Sequence, residues 1–82
     1  MQVRVEILCR GLFKGFTGST VDIAEGSTIL QAVERSVSEA DGVDLERLLE
    51  HILVMRDNKT VQFEDVAKDG DHILVLHKIM GG

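Results

Sequence analysis

Tryptophan and tyrosine are absent from this chain, and phenylalanine occurs only three times. Any core must therefore be built from Val, Ile and Leu, which a 44% apolar share makes possible. At 82 residues the chain is one small domain, near the lower limit for folding without disulfides or metal. Cysteine occurs once, at Cys9, which excludes an internal disulfide and every multi-cysteine metal or redox motif. A reducing compartment suits such a chain. No apolar run at the start has signal-peptide length, and none anywhere is long enough to span a bilayer. The expected location is cytoplasmic, with no membrane partner. Positive charge is also scarce: Lys and Arg number 9 against 14 Asp and Glu, for a net charge of −5. That balance disfavours a nucleic-acid binder, which needs clustered cations, and favours a basic partner surface.

Catalytic constellations are missing as well. Gly11, Gly15 and Gly18 fit neither the dinucleotide nor the P-loop spacing. His72 and His77 have opposite strand parity and His51 lies in another connection, so no metal site is expected from them. Cys9 shares the parity of core-facing residues and reads as inert and buried. The carboxylates between 34 and 50 read as a solvated face. The chain is not expected to be an enzyme by itself.

What is present is a regular alternation. Val3, Val5, Ile7 and Cys9 fall on one side of residues 2–9, opposite Gln2, Arg4, Glu6 and Leu8, which predicts a strand with one core face. Leu8 is the exception on the polar side. Three glycines in residues 10–18, with Phe13 and Phe16 among them, predict the loop of a wide hairpin. Ser19–Glu25 returns as a strand with Val21 and Ile23 inward. Thr28 and Gln31 fit a capping box, followed by an apolar stripe of Ile29, Val33, Val37 and Ala40 with Leu30 beside it, ended by Asp41-Gly42. Residues 43–51 read as a second short helix, with Asp44 capping and Leu45, Leu48 and Leu49 packing. Ile52–Arg56, a turn at Asp57-Asn58-Lys59 and Thr60–Phe63 form a second hairpin. Glu64–Gly70 is polar, with Val66 as its apolar anchor.

The final strand carries the functional information. Ile73 to Leu76 are apolar at four successive positions, as in a central strand. One main helix covers one face of the sheet, so Leu8, Leu74 and Leu76 would form an exposed apolar patch on the other. The alternative is that the Leu45–Leu49 segment folds over it. Residues 1–77 would be the domain and 78–82 a flexible tail that reaches roughly 17 Å when extended. As the last residues, Gly81 and Gly82 would have nothing to turn or cap. They are expected to offer a carboxylate on a stem without side chains, to which another protein's active site can approach closely. A ragged chain end is the plain alternative.

Lys68-Asp69-Gly70-Asp71, an apolar strand and a terminal Gly81-Gly82 resemble the ThiS/MoaD family of ubiquitin-like sulfur carriers. The resemblance extends through Val3–Cys9, Thr20–Glu25, Glu25-Gly26-Ser27-Thr28 and the turn at Asn58. It implies an α+β fold of the ubiquitin-like β-grasp type, a mixed sheet of four to five strands packed on one main helix. It further implies that a ubiquitin-activating-type enzyme adenylates Gly82, with ATP used by that partner and no cofactor bound by this chain. A sulfur donor would then form a thiocarboxylate, and a downstream synthase would accept its sulfur in thiamine or molybdopterin biosynthesis. The implied docking residues are Leu8, Leu74 and Leu76, with Ile79 and Met80 in the tail. Lys78 and Ile79 stand where the molybdopterin branch has a Pro pair, and residues 41–53 are longer than in the thiamine branch. A covalent protein modifier and a non-covalent β-grasp interaction module are the competing readings.

Overall fold

The computed structural model describes residues 1–79. Five strands, β1 (Gln2–Ile7), β2 (Gly18–Asp22), β3 (Ile52–Arg56), β4 (Lys59–Val61) and β5 (His72–His77), form one sheet in the order β2-β1-β5-β3-β4. The helices are α1 (Ile29–Val37) and the single turn α2 (Leu45–Leu48), with 3₁₀ turns at Arg10–Phe13 and Leu49–His51. β1 and β5 are parallel and every other pair is antiparallel. The last strand is therefore central, flanked by the first and by β3.

The α1 start forms as its sequence predicts. The Gln31 N–H donates to Thr28 Oγ1 at 3.2 Å, and the Thr28 N–H donates to Gln31 Oε1 at 2.8 Å. Ile29, Ala32, Val33, Ser36 and Val37 form the buried stripe, spaced as one face of a helix must be. Ser36 is fully buried, and its hydroxyl lies 2.9 Å from Ser19 Oγ, which donates to Glu39 Oε2 at 2.8 Å. Because Ser19 spends its proton on Glu39, Ser36 is the donor to Ser19, and this relay ties α1 to β2. The helix ends earlier than expected. The Ser38 hydroxyl donates to Arg35 O at 2.6 Å and the Ala40 N–H to Val37 O, which closes the last turn tightly.

Two turns fix the sheet register. Between β3 and β4, Asp57 and Asn58 have φ of 55° and 63°, the left-handed pair that a two-residue hairpin requires. At Gly18, with φ of 100°, an added Cβ would fall 2.1 Å from Val5 O, so β2 can lie against β1 only with glycine there.

The Lys68-Asp69-Gly70-Asp71 turn seats β5. Asp69 Oδ1 accepts from the Gln2 N–H at 2.7 Å, the Gly70 N–H donates to Gln2 O, and the Arg4 N–H donates to Asp71 O. Asp71 Oδ2 takes the Lys68 N–H at 2.7 Å and Arg56 Nη1 at 2.8 Å, while Arg56 also donates to Val66 O. Both side chains of that ion pair are mostly buried. The motif's acids are thus structural: they hold the start of the last strand beside the start of the first.

Two expectations need correction. Val66 is not the anchor of its segment, being 52% exposed, while its neighbour Ala67 is buried. The Ala67 N–H donates to Ser27 O and the Ile29 N–H to Asp65 O, which turns residue 67 inward and residue 66 outward. Asp44 occupies the position before α2, but its side chain makes no capping hydrogen bond.

Candidate functional site: the outer face of the sheet

Strand alternation divides the apolar residues into two sets. Val3, Val5, Ile7, Ile52, Val54, Ile73 and Val75 point inward and are buried, together with α1 and Phe13. Leu45, Leu48 and Leu49 also pack against this core, and Leu45 and Leu49 share a shallow cleft with Leu30 and Glu34. The segment expected as an alternative cover for the outer patch therefore lies on the helix side.

The outer set is Leu8, Leu53, Met55, Leu74 and Leu76. Leu53 is paired with Leu76 and Met55 with Leu74 across β3 and β5. The Leu8 N–H donates to Val75 O at 2.9 Å, which carries Leu8 alongside β5 just beyond the end of β1. Leu8 is 46% exposed and the other four are half-buried. Neighbouring strands are about 4.8 Å apart and outward residues about 6.8 Å apart along each strand, so these five side chains form one surface. Glu6, opposite Leu74, and His72 bound it, with His72 Nε2 2.8 Å from Glu6 Oε1. A contiguous apolar surface with a polar margin is the usual form of a protein-docking site.

The structure thus brings together Leu8, Leu74 and Leu76, as parity predicts, and adds Leu53 and Met55. The missing signal was available: in Ile52-Leu53-Val54-Met55-Arg56 the second and fourth residues must face away from the buried first and third.

The chain leaves this surface at its edge. His77 pairs with Ile52, the Lys78 N–H donates to His51 O at 2.7 Å, and Ile79 is 88% exposed. Met80, Gly81 and Gly82, expected to complete the tail, lie outside the described residues. Cys9 is half-buried, with Sγ 3.7 Å from Val75 O as its hydrogen-bond acceptor, and burial pushes its thiol pKa up. A thiol held in that state is a weak nucleophile. Among the described residues no three His, Cys, Asp or Glu side chains converge as metal ligands, and no helix is long and apolar enough to cross a membrane.

No family model matches the chain, and no curated protein does. Solved structures match. SAMP1 from Haloferax volcanii superposes over 100% of both chains with a TM-score of 0.73 at 17% identity. The H. volcanii small archaeal modifier protein 1 covers 90% of this chain and 93% of its own, with a TM-score of 0.67 at 16% identity. A chain of the Amycolatopsis orientalis BexX/CysO complex covers 98% and 99%, with a TM-score of 0.60 at 28% identity. These neighbours are ThiS/MoaD-like ubiquitin-like β-grasp proteins, and this chain has their α+β fold.

Proposed function

We propose that this chain is a sulfur carrier that docks on an adenylating enzyme through Leu8, Leu53, Met55, Leu74 and Leu76 and presents Gly82 to its active site. The observation that carries the reading is the bare aliphatic face built around β5, the strand that leads directly into the terminal residues. Likeness to CysO, a sulfur carrier, supports it. In the proposed chemistry a Gly82 carboxylate oxygen attacks the α-phosphorus of the partner's ATP and pyrophosphate leaves. A sulfide-level nucleophile from the sulfur donor then adds to the acyl carbon and expels AMP, leaving a thiocarboxylate. A synthase of thiamine or molybdopterin biosynthesis would consume that sulfur. The residues from 78 onward act as the reaching arm, with Gly81 and Gly82 leaving room around the acyl phosphate.

Likeness to two structures of the small archaeal modifier protein favours a second reading, in which Gly82 ends in an isopeptide bond to a lysine. Intact-mass analysis of the protein isolated from its native cell separates the two. The carrier reading predicts a mass gain equal to one oxygen-to-sulfur exchange, and the modifier reading predicts conjugates on lysines. Unmodified protein together with unchanged partner binding after deletion of Gly82 would overturn both and leave the non-covalent module.

A further inference from the structure

On the helix side of the sheet, the β1–β2 connection and α2 enclose an open cleft of about 320 Å³. Leu12, Val43 and Leu48 supply its apolar lining, while Lys14, Arg47 and His51 place three basic groups on it. Lys14 and Arg47 against Asp44 leave the lining with one formal positive charge, in a chain of net charge −5. The placement of Lys14 is specific. Its φ is 55°, uncommon for a long side chain, and its backbone N–H donates to Arg10 O to close the 3₁₀ turn. Facing it, Gly42 has φ of 70°, and an added Cβ there would come within 3.0 Å of Lys14 Nζ. The ion pairs among the described residues involve Met1, Arg56 and His72, so neither Lys14 nor Arg47 has a carboxylate partner among those residues. Asp44 is the one acid on the cleft.

We propose that this cleft is a second docking surface, which takes an acidic, leucine-containing segment of a protein partner. One carboxylate would sit between Lys14 and Arg47, and an aliphatic neighbour would cover Leu12, Val43 and Leu48. The apolar lining favours such a segment over free phosphate, which has no apolar part to cover Leu12, Val43 and Leu48. Because the Lys78 N–H is bound to His51 O, a segment seated here lies beside the root of the terminal residues. The inference does not depend on the chemistry at Gly82.

The test is an amide-resolved NMR titration of the ¹⁵N-labelled full chain with acetyl-Asp-Leu-Asp-Leu-amide. Acetyl-Asn-Leu-Asn-Leu-amide and inorganic phosphate are run in parallel. The expected result is saturable shifts at Leu12, Lys14, Val43, Arg47, Leu48 and His51 with the acidic peptide only. Affinity should fall with added salt and be roughly tenfold weaker in Arg47→Gln and in Lys14→Asn, since charged contacts are lost. Asn tolerates the left-handed backbone at residue 14, and unchanged spectra outside the cleft verify the fold of both variants. Absent shifts, shifts centred on the outer face, equal binding of the neutral peptide, unchanged affinity in both variants, or saturation by phosphate instead of peptide would each overturn the proposal.

Discussion

The two faces of this sheet are made by the same strands but from different side chains. On the covered face the buried apolar strand residues are all β-branched: Val3, Val5, Ile7, Val21, Ile52, Val54, Ile73 and Val75. The bare face carries Leu8, Leu53, Met55, Leu74 and Leu76, none of them β-branched. Val and Ile have little χ1 freedom in a strand, so they present α1 with a fixed surface at low entropic cost. Leu and Met keep more rotamers and can adapt to a surface that is not part of the chain. The difference separates a face that specifies the fold from one suited to meeting a partner.

That separation can be broken by substitutions one residue apart. Ile73→Ala removes a fully buried side chain from the central strand and should cost about 3–4 kcal/mol in equilibrium denaturant unfolding. Leu74→Ala, its neighbour on the same strand, should cost less than about 1 kcal/mol. Similar costs for the two would mean that the outer face is also core. Asp71→Ala comes next. It leaves Arg56 without its carboxylate and the Lys68 N–H without its acceptor, at a cost of about 2 kcal/mol in the same assay. Thr28→Ala removes one half of the reciprocal cap and should cost about 1 kcal/mol. Unchanged stability in that variant would show that tertiary packing alone holds the start of α1.

Most of the fold was legible because its signals are local. A two-residue period marks β1 and β2, Thr28 and Gln31 mark the start of α1, and Asp57-Asn58 marks the second hairpin. Leu8, Leu74 and Leu76 were legible from parity, since a single helix cannot cover both faces of the sheet. Leu53 and Met55 were missed because an unbroken apolar run hides its own alternation. Val66 was misplaced for a related reason. Hydrophobicity says that one residue of a polar segment is buried, but only the backbone bonds of Asp65 and Ala67 to the helix entrance decide that it is residue 67. The structural duty of Asp69 and Asp71 was hidden as well, because their partners Gln2, Arg4 and Arg56 are distant in sequence. The basic cleft needed tertiary structure outright, since Lys14 and Arg47 belong to different connections.

On this reading the inner face holds the fold and the outer face meets a partner. Leu74→Glu, produced in the native cell, tests it with two readouts on one protein: unfolding free energy and the intact-mass fraction modified at Gly82. The expected result is a folded domain within about 1 kcal/mol of the parent and loss of the modified fraction. An unfolded variant, or one modified to the parent level, would contradict it.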